Sequence, residues 1–193
     1  MTKTYLLTDV ILPTLKIIND LYSRGRIGES ERLTTNAFLN DLVVLIRLIP
    51  PDSTKRLKAY SLSVAGSEDS VSVAKVSSVL MHLSGWNSLF MGNVETTIDP
   101  FFDIDIQRYI VKTFGNKKGL VAIIIFSYSE SSLRFLCNAI RNLKSRFTGD
   151  LRFLVFTKED LKGIARSLGA DITSSELDSL LRWLNGEYNK TYI

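Results

Sequence analysis

The 193 residues contain one cysteine, one histidine and four prolines. A single thiol, Cys137, excludes an intramolecular disulfide and any cysteine-rich zinc centre, and its place in an apolar helical run reads as a small buried hydrophobe. A single imidazole, His82, excludes a histidine-rich metal site and any histidine pair; at its spacing it falls with Lys75 and Ser78 on a surface face. No window reaches the ~18 uninterrupted apolar residues of a membrane span. The N-terminus has no basic segment followed by a long apolar stretch, so no membrane association and a cytoplasmic location are expected.

Catalytic signatures are missing too. No Gly-x-Gly-x-x-Gly follows the first predicted strand, and neither Gly-x-x-x-x-Gly-Lys-Ser/Thr nor Gly-x-Ser-x-Gly occurs anywhere. Ser127 follows the third predicted strand, where a phosphoacceptor would need an aspartate. The expectation is therefore a protein that is not an enzyme. The net charge of +4 is concentrated between Arg134 and Arg166. Without a helix-turn-helix, zinc finger or RNA-binding motif, that basic stretch reads as solvated surface rather than as a nucleic-acid site.

The hydrophobic share of 45% and charged share of 23% describe a folded globular chain. Helical spacing predicts a first helix over Tyr5 to Ser23, kinked or split by Pro13. A second runs from Gly28 to Ile49, with Phe38, Leu42, Leu45 and Ile49 on one stripe and Leu33, Ala37 and Val44 on a neighbouring one. Pro50 and Pro51 end it. The organisation expected is a helical cap over 1–50, a linker over 51–55 and an α/β domain over 56–193.

Beyond the linker, strands and helices alternate: Leu57 to Val64, Asp69 to Leu83, Trp86 to Met91, Asp99 to Phe114, Leu120 to Phe126, Ser131 to Phe147, Leu151 to Phe156, Lys158 to Leu168 and a short strand at Asp171 to Thr173. A last helix, Ser174 to Asn185, has Ser174 as its expected cap. The run "LVAIIIF" at Leu120 to Phe126 is the mark of a central strand buried on both faces. Such alternation predicts a flavodoxin-like (Rossmann-like) doubly wound parallel sheet of order 2-1-3-4-5, with ligands at the carboxyl ends of the strands. The loop "AGSEDS" at Ala65 to Ser70 lies at that end.

Three parts of the chain together resemble the cobalamin-binding domains of corrinoid methyl carriers and light-sensing repressors. They are Leu12 to Gly28 with its Gly-Arg-Ile, the run from Leu83-Ser-Gly-Trp86 to Leu89-Phe-Met-Gly92, and Leu120 to Ser127 with Leu168-Gly-Ala-Asp171. The resemblance implies a pocket between cap and sheet. It also implies a histidine below the cobalt, in Asp-x-His-x-x-Gly, where this chain has Ser67, Asp69 and Ser72. Above the corrin ring, Trp followed after nine residues by Glu-His becomes Tyr22, Arg32 and Leu33. The Gly-Gly that leaves room for the nucleotide tail becomes Phe156-Thr157. The family usually has four cap helices, whereas two precede the linker here.

An aspartate is a hard anionic ligand and a poor substitute for imidazole at cobalt. The expectation is a non-catalytic sensor or regulatory interaction protein with no cofactor, whose small-molecule pocket draws on Tyr22, Arg32, Leu33, Ser67, Asp69, Ser72, Ser127, Ser129, Phe156 and Thr157. Two alternatives stay open. One is a divergent corrinoid carrier of a methyltransferase system; the other is a haem or small-molecule sensor, for which His82 is the one imidazole. The output is expected to be a partner protein or self-association through the apolar stripes of the second helix.

Overall fold

The computed structural model describes residues 3–51, 59–94, 102–145 and 147–191. The expected linker at 51–55 lies outside these residues apart from Pro51, as do the first residues expected for the first strand and for the helix at Asp99.

Five parallel strands form one sheet in the order β2-β1-β3-β4-β5: β1 Ala59–Ala65, β2 Asn87–Asn93, β3 Leu120–Phe126, β4 Asp150–Phe156 and β5 Ile172–Ser174. The connecting helices are α4 Val71–Leu83, α5 Phe102–Phe114, α6 Glu130–Lys144 and α7 Lys162–Ser167, with α8 Asp178–Thr191 closing the chain. This is the flavodoxin-like doubly wound arrangement that the alternation predicts. Strand period 2 splits β3 between two cores. Ala122, Ile124 and Phe126 face α4 and α8, while Val121, Ile123 and Ile125 face α5, α6 and α7.

Among the described residues, four helical segments precede the sheet. α1 Lys3–Tyr5 and a π-helical turn, Leu6–Ile11, run into α2 Leu12–Ser23, and α3 Glu29–Arg47 follows. Pro13 sits at the start of α2, just after the π turn. Proline has no N–H and its ring crowds the carbonyl four residues back, and the wider turn relieves both. The Leu12 N–H accordingly donates to the carbonyl of Leu7, five residues back. Pro13 therefore neither ends the helix nor splits it.

The helical segment shares its core with one face of the sheet: Leu7, Ile11, Leu15 and Ile18, with Leu39, Val43 and Ile46 from α3, join the cluster around α4 and α8. The inward face of α3 is Leu39, Val43 and Ile46; of the two apolar stripes, Phe38, Leu45 and Val44 are 60%, 58% and 45% exposed, while Leu42 packs partly against the core. One expectation about the helices changes. Ser174 does not cap the last helix. It ends β5, its hydroxyl accepts the Glu176 N–H at 3.0 Å, and α8 begins only at Asp178.

The helix α4 is covered by the cap on the side away from the sheet, so it buries Ser77 and Ser78 as well as its apolar stripe. Short polar side chains let it approach the sheet closely. Ser63 and Ser77 lie 3.3 Å apart and Ser78 and Ser88 2.9 Å apart. Arg47 from α3 reaches into this seam, donating to Ser78 Oγ at 3.3 Å and to the Ser88 carbonyl at 2.6 Å.

Candidate functional site

The carboxyl ends of four strands are laced edge to edge. Gly66 N–H donates to the Phe126 carbonyl at 2.7 Å, Ser127 N–H to Phe156 at 3.1 Å and Thr157 N–H to Ser174 at 2.9 Å. The loop after β1 then closes into a tight turn, Glu68–Ser70, that leads into α4. Ser70 Oγ accepts from the Ser67 N–H at 3.2 Å and donates towards the carbonyls of Ser67 and Phe126 at 2.7 and 2.8 Å. Ser67 Oγ accepts from Tyr128 N–H at 3.2 Å. The backbone is thus held rigidly below, and the carboxylate of Asp69, 74% exposed, stands above it.

From the cap, Arg32 comes down over this loop. Its guanidinium lies 4.6 Å from the centroid of the Tyr22 ring. It donates to Glu29 Oε1 at 3.1 Å and reaches Asp69 Oδ1 at 3.9 Å. Tyr22 in turn donates its hydroxyl to Glu29 Oε2 at 3.3 Å. A second tie is Asn40 Nδ2 to Ser72 Oγ at 3.0 Å. An ion pair with one largely exposed partner contributes well under about 1 kcal/mol, so the Arg32–Asp69 contact sets position more than stability.

Two adjoining cavities flank these contacts. The larger, about 750 Å³, lies between α2, the β1 loop and the start of α8; it is lined by Leu12, Lys16, Tyr22, Arg32, Asp69 and Tyr128 together with Leu177 and Asp178. The smaller, about 220 Å³, lies between α3 and the loop, with Arg32, Leu33, Asn36, Asn40, Asp69 and Ser72 in its wall. The larger one falls within the ~300–1,000 Å³ range of small-molecule sites.

Of the residues that the sequence points to, Tyr22, Arg32, Leu33, Asp69 and Ser72 line these cavities. Ser67, Ser127, Ser129, Phe156 and Thr157 are not in their walls. Ser127 is fully buried and donates to the Ser129 carbonyl at 3.2 Å, and Ser129 precedes α6 with its hydroxyl 2.9 Å from Ser131. Phe156 stacks on Phe126 with ring centroids 4.8 Å apart, and Thr157 is fully buried beside it.

His82 is half-buried rather than on an open surface, and it faces away from this site. It lines a third cavity of about 490 Å³ at the amino ends of the strands, with Arg47, Tyr60, Trp86 and Lys117. Burial pushes the Cys137 thiol up to about 12, which makes it a neutral packing residue rather than a nucleophile. No group of three or more His, Cys, Asp or Glu side chains suited to a metal ion is found among the described residues. No helix among them is long and apolar enough to cross a membrane.

Sequence reasoning missed Asn36 and Asn40, and Tyr128 and Asp178. The first two had a usable signal: Arg32, Asn36 and Asn40 repeat at four-residue intervals as a polar stripe along α3. Tyr128 and Asp178 are brought to the same wall only by the crossovers. Burial raises the Tyr128 phenol above the ordinary tyrosine range, and the nearby Asp69 carboxylate adds to the shift.

A raised phenol favours the neutral form in the fold. Its stabilising contribution is therefore complete below the unfolded tyrosine value of ~10 and is lost as pH rises through the folded value. In a spectrophotometric titration at 295 nm, Tyr128 is expected to ionise after the ordinary tyrosines. Asp69→Asn should lower its pKa without restoring the ordinary value, because burial is the larger cause. No change in Asp69→Asn would mean that the two side chains do not share one wall.

No family model matches the chain, and no curated protein matches it. Among solved structures, it is similar to the monomethylamine corrinoid protein of Methanosarcina barkeri, with a TM-score of 0.66 over 90% of this chain and 78% of that one. Identity is 10%, so the likeness is one of fold.

Proposed function

We propose that the protein is a non-catalytic sensor or regulatory interaction module, built on the fold of a corrinoid protein, whose cap–sheet cavity takes a small molecule other than cobalamin. The observation that carries this reading is the meeting of Arg32 and Asp69. By the resemblance, these positions flank the corrin ring from above and below. A flat macrocycle held between two contacting groups needs about 7 Å, two van der Waals spacings of ~3.5 Å. The two side chains approach to 3.9 Å.

The donor chemistry supports the same reading. The residue at the lower position is a carboxylate paired with a guanidinium, and neither cavity wall contains an imidazole. By the resemblance, Phe156 and Thr157 stand where the family has the Gly-Gly that leaves room for the nucleotide tail; Phe156 is stacked on Phe126 and Thr157 is fully buried. These residues do not fit cobalamin.

A second reading, a divergent corrinoid carrier, is favoured by the shared architecture alone. A haem reading would rest on His82, which lies at the other end of the sheet. The test is titration of the purified protein with hydroxocobalamin, together with native mass spectrometry of protein taken from its own host. The expected result is no saturable spectral change up to tens of micromolar cobalamin and a retained mass that is not a corrinoid. Micromolar binding with a corrin spectrum, lost in Tyr22→Ala or Asp69→Ala, would overturn the proposal.

The interaction half of this reading rests on α3. Phe38, Leu42 and Leu45 in α3, with Ile49 just beyond its end at Arg47, are spaced four, three and four residues apart, the a/d repeat by which helices seam together. Three of the four are exposed, and Leu48 beside them is 76% exposed. The partner that this seam fits is the same seam on a second copy, related by a two-fold axis.

A further inference from the structure

The smaller cavity has unfilled hydrogen-bonding capacity. Arg32 Nε, Asn36 Oδ1 and Asn40 Oδ1 are all shielded from solvent and have no hydrogen-bond partner, and all three residues line its wall. A buried polar atom left unpaired loses its full hydration and gains nothing in return, so native structures rarely leave several together. Their clustering around one cavity points to a polar occupant that donates to the two amide oxygens.

The chemistry of that occupant follows from the wall. Two of the three unpaired atoms are acceptors, and Asp69 and Glu68, the latter also accepting from Asn93 Nδ2 at 3.0 Å, line the same cavity. The one cation in the wall, Arg32, has Glu29 at 3.1 Å on its Nη2, and its Nε–H is the single unpaired donor. Acceptors outnumber donors and the wall is net acidic, which disfavours a carboxylate or phosphate and suits a compact cation with several N–H groups. The cavity opens towards the larger one, with which it shares Leu15, Asn19, Arg32, Asp69 and Val73. Beyond that shared wall lie Leu12, Pro13 and Leu177.

We propose that the small cavity receives the primary ammonium head of an amine whose apolar body lies in the larger cavity, with Asn36 Oδ1 and Asn40 Oδ1 accepting from the ammonium. This inference rests on the reading of the cap–sheet cavity as a small-molecule site, and it names the ligand class of that site.

Three probes of one length separate the two ideas: hexylammonium, hexanol and hexanoate, each titrated by calorimetry with amide shifts followed by NMR. Hexylammonium is expected to bind at least tenfold more tightly than the other two, with shifts at Asn36 and Asn40. Asn36→Leu and Asn40→Leu should each weaken it about tenfold, the loss expected for one hydrogen bond to a charged group. Asn36→Asp, which keeps the helix and the polar position, should tighten it. Equal binding of the three probes would mean that the small cavity holds only water, overturning the inference while leaving the small-molecule site in place. Preference for hexanoate, or no binding of hexylammonium at millimolar concentration, also overturns it, whatever native mass spectrometry finds in the larger cavity.

Discussion

Phe38→Glu/Leu45→Glu is expected to abolish the proposed self-association of α3, remaining a monomer with the dissociation constant raised at least a hundredfold. The two positions are 60% and 58% exposed in the single chain, so the substitutions leave the fold intact, and the thermal unfolding of the variant should match that of the original. In the proposed dimer they lie in the seam between two copies of α3. Each carboxylate would have to enter an apolar contact without a partner, at a cost of several kcal/mol per charge. Two-fold symmetry doubles the number of charges, and like charges then face each other across the axis.

The magnitude in the unaltered protein is bounded by size. A seam of four or five side chains, at roughly 60–120 Å² each, buries several hundred Å² per partner, below the ~800 Å² of a standard stable interface. Such an area belongs to weak, transient contacts, so sedimentation velocity should span about 1–300 μM. A single species of monomer mass throughout, or a double variant that still dimerises, would show that α3 is not the contact.

The sheet was legible because its signals are redundant. In β3, the seven residues from Leu120 to Phe126 are apolar and mostly β-branched, and only a strand covered on both faces accommodates such a run. The observed strand has the predicted bounds, and the order of its neighbours follows from the alternation. The helical segment was less legible. The second half of α3, from Ala37 to Ile46, carries apolar residues on several faces, so periodicity cannot choose between Leu39/Val43/Ile46 and the Phe38 or Leu33 stripes; packing against α4 decides it. The π turn before Pro13 is likewise invisible to a 3.6-residue pattern.

At the site, the residues on the β1 loop and at the cap were legible through the family resemblance, which identifies equivalent positions. What those positions now do was not. Ser67 and Ser127 read as polar groups offered to a ligand, yet their hydroxyls bond to backbone within the strand ends. Asparagines in mid-helix read as solvated, and only tertiary structure turns Asn36 and Asn40 towards a shared cavity. Arg32 and Asp69, which belong to separate motifs in the sequence, become one contact.

That contact depends on how the loop after β1 is seated, and Gly66 is where the seating is tightest. A Cβ at this position would stand 2.8 Å from both Leu136 Cδ1 and Ser127 Cβ and 2.9 Å from Ser127 Oγ. Leu136 could adjust its rotamer, but Ser127 Cβ is fixed to the backbone at the end of β3, which is hydrogen-bonded on towards β4. Nor can the loop lift away freely, because Gly66 N–H is bonded to Phe126 at 2.7 Å and Ser70 Oγ reaches the same carbonyl. Gly66→Val therefore forces either overpacking at Leu136 or loss of these bonds, and should cost about 3 kcal/mol or more in urea unfolding. Gly66→Ala should cost about 1–2 kcal/mol, the lower part of the range for inserting one carbon into a close-packed region. In Gly66→Val, the loop displaced from β3 would also carry Asp69 away from Arg32, so the pKa of Tyr128 should fall as it does in Asp69→Asn. A Gly66→Val protein within 0.5 kcal/mol of the original, with Tyr128 unmoved, would show that the β1 loop is not pinned at its base, and the positioning of Asp69 under the cap would need another source.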